Sequence, residues 1–196
     1  MKVSMMLTSH HELGDTGRKT AFRRKELGAP YYKFREAGAH IALASPNGGR
    51  PPLESKSNES ANQIKFYPGG NGPLWDLAED ATSIALIKAS PAARKPVTPV
   101  WHATGVPRRV KNRDGRPLVE GKRVTCFAST KDEAAGLKAI LPFLVEDELK
   151  TKGAIYPRGP DWSLYVVEDG LSITGQNAGS SLESARALTT AGSVDK

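Results

Sequence analysis

The chain has 196 residues, 38% hydrophobic and 25% charged, enough apolar material for one well-cored domain, and no stretch approaches the ~18–20 apolar residues of a membrane span. Its net charge is +7, yet the basic residues are scattered through Arg23-Arg24-Lys25, Arg108-Arg109, Lys111, Arg113 and Lys122-Arg123 without interleaved aromatics, which reads as solvated surface rather than a nucleic-acid stripe. The single cysteine, Cys126, excludes an internal disulfide framework and leaves no Cys/His cluster for structural zinc.

In chain order, Lys2–Leu7 reads as a first strand, too short in its apolar run to be a secretion signal, so a cytoplasmic location is expected. A polar loop leads to a helix over roughly Thr20–Ala37, where Phe22, Leu27, Tyr31 and Phe34 recur near helical spacing despite Pro30, and Gly38 is a plausible stop. His40–Ala44 makes a second strand, and 45–61 is loop by its Pro, Gly and Ser content. Ile64–Tyr67 is a third strand ending at Pro68-Gly69-Gly70, followed by a helix from about Leu74 to Ser90.

The β-branched run Pro96–Val100 is next, then a further strand at Arg123–Phe127. One or two helices follow over Glu133–Leu149, with the break at Pro142. Tyr165–Val167 and Leu171–Thr174, separated by Glu168-Asp169-Gly170, look like a hairpin, and a helix over about Ser181–Thr190 closes the chain. Short strands alternating with helices predict an α/β fold: a flavodoxin-like three-layer sandwich with a mostly parallel central sheet, in a single domain over 1–196.

Ligands of open parallel sheets sit beyond the carboxyl ends of the strands. Four groups of residues fall there. Gly69-Gly70 offers backbone N–H groups without side-chain obstruction, suited to an oxyanion. "KPVTPVWHATGV", residues 95–106, passes from a strand through a turn into small residues, the pattern that projects a nucleophile from a strained backbone. The turn residue is Trp101, followed by His102. Asp132, with Glu133 beside it, is placed to orient His102, and also suits a helix N-cap. Glu26 lies in the first helix, where a carboxyl can point back over the elbow.

The stretches "LTSHHELGDTGRKTAF", "KELGAPYYKFREAGAHIALASPNGGRPPL", "FYPGGNGPLWDLAED", "GKRVT", "PFLVEDEL" and "DWSLYVVEDGLSITGQN" together resemble the ThiJ/PfpI superfamily, with its class I glutamine amidotransferase-like fold, and within it the heat-shock chaperone and glyoxalase III branch. The resemblance implies that Trp101 stands at the nucleophilic cysteine, His102 at the family histidine, Asp132 at the acidic third member, Glu26 at the glutamate that hydrogen-bonds the nucleophile, and Gly69 and Gly70 in the oxyanion loop. It further implies attack of a thiolate on an α-oxoaldehyde such as methylglyoxal, with no metal or organic cofactor, in a homodimer.

Two departures bear on activity. Indole is neither a nucleophile nor an acid or base at Trp101, so cysteine-dependent chemistry is not expected. The chain is also shorter than the family pattern between about 58 and 64, with Ala61-Asn62-Gln63 bridging "SNES" and "FYPGG". Thr104 and Asn71 replace the proline and histidine of the family's "HAPG" and "GGHG". Cys126, within a strand-like run, reads as a buried inert thiol. The expected partner is a small aldehyde or, on an alternative reading as a non-catalytic holdase or binding module, a client protein.

Overall fold

The computed structural model describes residues 1–10, 12–18, 20, 24–48 and 64–193. Six strands form one sheet: β1 (Lys2–Met6), β2 (His40–Ala44), β3 (Ile64–Tyr67), β4 (Val97–Pro99), β5 (Val166–Asp169) and β6 (Ser172–Gly175), in the order β2-β1-β3-β4-β6-β5. All neighbouring pairs are parallel except β5 with β6, which is antiparallel. Strands covered on both faces must be apolar on both, and β1 shows why its sequence suits the centre of such a sheet. Val3 and Met5 face one apolar cluster and Met6 the other.

The first cluster joins the sheet to α1 (Arg24–Glu36) and α5 (Ser181–Ser193) through Phe34, Phe66, Ile173, Ala185 and Leu188. On the opposite face α2 (Ala81–Ala89) and a 3₁₀ run over Trp101–Arg109 bring Ile87, Ala103 and Val106 against Tyr67 and Val97. Beyond them α3 (Ser129–Ala134) and α4 (Val145–Thr151) flank a third cluster that holds Cys126, Val145 and Leu149. The result is the flavodoxin-like three-layer sandwich expected from the alternation of elements.

Several boundaries move for identifiable reasons. The helix expected over Leu74–Ser90 is a 3₁₀ turn at Gly72–Leu74, a turn region, and then α2, because Asp80 accepts a hydrogen bond from Ser83 N (2.6 Å) and starts the helix there. Arg123–Phe127 does not join the sheet. It runs extended with one isolated bridge to Ile155, and Thr125 N donates to the Thr174 side chain rather than to a backbone carbonyl. The 133–149 region is two short helices, α3 and α4, separated by non-helical residues wider than Pro142 alone. The hairpin turns at Gly170-Leu171, with Asp169 opposite Ser172. The shortening expected between about 58 and 64 falls outside the described residues up to 63.

One glycine fixes how closely the elbow strand approaches α5. A Cβ on Gly175 would lie 2.6 Å from Ser184 Oγ and 3.0 Å from Val100 Cγ1, and Val100 pairs with Gly175 by a parallel bridge. Gly175→Ala therefore forces β6 and α5 apart, and a loss of roughly 1–3 kcal/mol is expected in urea unfolding. A variant as stable as the parent would show that this contact yields freely.

Candidate active site

The elbow is built from backbone upward. Val100 is extended (φ −127°, ψ 143°) and its N–H donates to Tyr67 O (3.1 Å), which continues β4 by one residue. Trp101 then turns into the left-handed region at φ 58°, and the 3₁₀ run starts at once. For a non-glycine residue this conformation costs about 1–2 kcal/mol, and the fold holds it with the Ala103 N–H donating to Val100 O and Thr104 Oγ1 donating to Trp101 O. Such a turn lifts the side chain of residue 101 over the carboxyl edge of the sheet. Here it carries an indole that is 6% exposed.

His102 and Asp132 meet beneath it. His102 Nε2 lies 2.9 Å from Asp132 Oδ1, and neither side chain is exposed. Asp132 reaches this position from the fourth residue of α3, so it is not the N-cap; Ala128 is. An acceptor carboxylate at Nε2 favours the tautomer with the proton there and leaves the Nδ1 lone pair for a neighbouring group. Nδ1 has no hydrogen-bond partner among the described residues. An imidazole so held can take a proton from an atom placed at the elbow. The indole cannot supply one as a nucleophile, and it packs on the ring instead, with centroids 4.6 Å apart.

Gly69 and Gly70 are buried directly after β3, the strand beside β4, and so lie at the same sheet edge as the elbow. Gly70 has φ 113°, a backbone state that side-chain-bearing residues rarely adopt. Glu26 is in the first turn of α1; its side chain lies outside the description. The structure thus brings Trp101, His102 and Asp132 into contact or near-contact and sets Gly69-Gly70 at the neighbouring strand end. His10, whose partner in the sequence His11 lies outside the described residues, stacks on Trp75 (5.0 Å).

Three further residues around the elbow carry no sequence signal of their own. Phe127 packs edge-on against Trp101 (5.5 Å) and His102 (5.1 Å), closing the imidazole from the side. Trp162 lies against Phe127 (5.8 Å) with a positive φ of 65°, and is 71% exposed. Lys131 is almost wholly buried, with Nζ 4.7 Å from the Trp162 ring centroid, 5.5 Å from that of Phe127 and 3.5 Å from Asp161 Oδ1. The Trp162 loop is tied down by the "GQN" residues. Gln176 Oε1 accepts from Gly159 N (2.9 Å), and Asn177 Nδ2 donates to Ser163 O (2.6 Å).

Cys126 belongs to a different environment. Its thiol is fully buried in the third apolar cluster, where burial pushes its pKa well above the ordinary value. A thiol reagent should label the native protein only at the rate of opening and label the urea-unfolded protein at once. Rapid native labelling would overturn this assignment.

A strand, a strained single residue and a helical run, with a buried His–Asp pair beneath the strained residue, define the α/β class whose chemistry sits at a nucleophile elbow. No family model matches the chain. Among curated proteins it is similar to the glutathione-independent glyoxalase HSP31 of Saccharomyces cerevisiae, 29% identical over 223 aligned positions covering 91% of this chain and 92% of that protein. Among solved structures it is similar to glyoxalase III from Candida albicans (TM-score 0.83, 24% identity, 97% of each chain) and to a ThiJ/PfpI domain protein from Brachyspira murdochii (TM-score 0.67, 16% identity, 97% and 95%). The chain thus resembles the curated glyoxalases in sequence along most of its length, and shares the fold of the ThiJ/PfpI domain protein.

Proposed function

We propose that this chain is a glyoxalase III-type member of the ThiJ/PfpI superfamily that has lost its nucleophile, and that it has no cysteine-dependent glyoxalase or deglycase activity. The observation that carries this reading is the indole of Trp101 on the elbow, stacked on a His102 that still holds its partner Asp132. In the reading, His102, Asp132 and Glu26 are the proton-handling groups, Gly69 and Gly70 the oxyanion turn, and Trp101 fills the place of the thiol. The substrate class is the small α-oxoaldehydes that the yeast relative's glyoxalase name brings with it, and no cofactor is invoked.

The reading includes a single domain over 1–196, a homodimer and a cytoplasmic protein without nucleic-acid partners. Among the described residues no helix is long and apolar enough to cross a membrane. The reading keeps a shortening between about 58 and 64; the yeast alignment, with 223 positions against the 196 residues of this chain, requires gaps in this chain without locating them. Methylglyoxal loss in the absence of glutathione should proceed no faster with the protein than with heat-inactivated protein. Turnover that iodoacetamide abolishes would overturn the reading and point to Cys126.

A second reading, a holdase on the same fold, is favoured by one observation. Trp162 (71% exposed), Leu164 (58%) and Ile155 (55%) leave large apolar side chains in solvent. Suppression of the aggregation of an unrelated client, lost in a Trp162→Ser, Leu164→Ser double variant, would support it. An equal effect of the double variant and the parent would exclude that surface.

A further inference from the structure

A cavity of about 360 Å³ opens on the face of the sheet that carries α2, and none of Trp101, His102, Asp132, Gly69 or Gly70 lines it. Its apolar walls are Ile87 of α2, Val97 and Pro99 of β4, Pro107 of the 3₁₀ run, and Leu118 and Val124. Polar side chains in the lining are already engaged. Thr104 Oγ1 donates to Trp101 O, Thr174 Oγ1 accepts from Thr125 N (3.0 Å), and Asn112 Nδ2 donates to Pro117 O (3.3 Å). The charged groups are engaged as well. Lys122 Nζ lies 3.4 Å from Asp169 Oδ1 with both side chains in contact with solvent, so this ion pair stands at the rim, and Lys95 has interactions of its own. Ser172 lies opposite Asp169 across the hairpin, and because Ile173 faces the other apolar cluster, strand alternation turns the half-buried Ser172 toward the cavity.

We propose that this cavity binds an uncharged, medium-chain aliphatic alcohol, its chain against Ile87, Val97, Leu118 and Val124 and its hydroxyl at Ser172. The volume falls near the lower end of the range of small-molecule sites, which fits a single chain rather than a nucleotide. A charged ligand is disfavoured whichever its sign. Its ionised group must either lose water against the apolar wall or take one partner away from the Lys122–Asp169 pair, and both cost free energy. A hydroxyl makes no such demand, since it gives and accepts a hydrogen bond as the Ser172 side chain does. The site is separate from the elbow but shares one wall with it: Thr104 lines the cavity, and the same hydroxyl holds the Trp101 carbonyl.

The test is calorimetric titration of the full-length protein with octanol, heptanol, hexanol, octanoate and octylamine. Octanol should bind roughly tenfold more tightly than octanoate or octylamine, each of which brings a charge to an apolar wall. Each methylene removed should weaken binding about fourfold. Ser172→Ala should weaken octanol about fivefold through the lost hydrogen bond. Leu118→Trp, which fills the space, should abolish binding. In isotope-labelled protein, octanol should shift the amide signals of Val97, Leu118, Val124 and Ser172 and leave those of Gly69, Gly70 and the exposed Trp162 in place. The ligand series and the amide map are read on the parent protein, so they decide the question even if the tryptophan variant fails to fold. Absence of octanol binding, equal or tighter binding of octanoate or octylamine, or affinity indifferent to chain length would each overturn the proposal. So would amide shifts confined to Gly69, Gly70 or Trp162, or unchanged octanol binding by Ser172→Ala or by folded Leu118→Trp. None of these readouts depends on aldehyde chemistry, so the outcome is independent of the function proposed for the elbow.

Discussion

Trp101→Cys should convert a protein without methylglyoxal turnover into one with thiol-dependent turnover. The elbow already holds residue 101 at φ 58°, and the replacement changes the side chain without asking the backbone for a new conformation. A cysteine there stands beside His102, whose Nε2 is fixed by Asp132 at 2.9 Å and whose Nδ1 has no described hydrogen-bond partner. An adjacent imidazole stabilises a thiolate and lowers the thiol pKa below its usual ~8.5. Removing the nucleophile from a comparable triad costs about 10⁶ in turnover, so recovery of even a small part of a working site gives a rate far above the parent's background.

Removing the indole from among Phe127, Val100 and Ile173 leaves a cavity that costs roughly 3–5 kcal/mol, so folding is to be checked by circular dichroism alongside the rate. His102→Ala in the Trp101→Cys background should return turnover to background. A folded Trp101→Cys protein with neither turnover nor a thiol of lowered pKa would sink the view that the site is only plugged, and would favour the binding-module reading.

The second large effect is on stability, and it comes from an interior strand of the sheet. Lys65→Met should stabilise the protein at pH 7. Lys65 sits in the middle of β3 between Ser4 and Val97 and is not exposed at all. Burial, and then the nearby Lys95, lower its pKa from 10.5 to about 8, a difference worth up to about 3 kcal/mol. The folded state releases its proton at about 8 and the unfolded state near 10.5. Between these values the unfolded chain binds more protons, so this lysine's penalty is full below pH 8 and fades as pH rises to 10.5. The advantage of Lys65→Met in urea unfolding should accordingly be constant below about pH 8 and shrink above it to what methionine packing adds. A variant less stable than the parent at pH 7 would show that the ammonium holds the strand in place rather than straining it.

Much of this architecture could be read from the chain because its strands are short apolar runs whose burial on two faces leaves little room for another pattern. The elbow was legible for the same reason: Pro96–Val100 passes into small residues with no linker between, and only a tight turn accommodates that. Arg123–Phe127 departs from the expected sheet strand because its composition suits a strand equally well in the sheet or beside it, and only the Thr174 hydroxyl, 49 residues away, reveals that the Thr125 N–H is satisfied elsewhere. The boundary of α2 moved because Asp80 as a cap outweighs the helical spacing before it. Phe127, Lys131 and Trp162 carry no signal as a group, since their meeting beside His102 depends on tertiary contacts between segments at least 25 residues apart.

The three tryptophans of this chain occupy three unlike settings, and this gives the molecule its own optical reporters. Trp101 is walled in by His102 and Phe127, Trp75 is half-buried and lies flat on His10, and Trp162 stands in solvent with an ammonium over its ring. A soluble quencher reaches the last most readily and the first hardly at all, so the emission of one unlabelled protein separates events at the elbow from events at its rim.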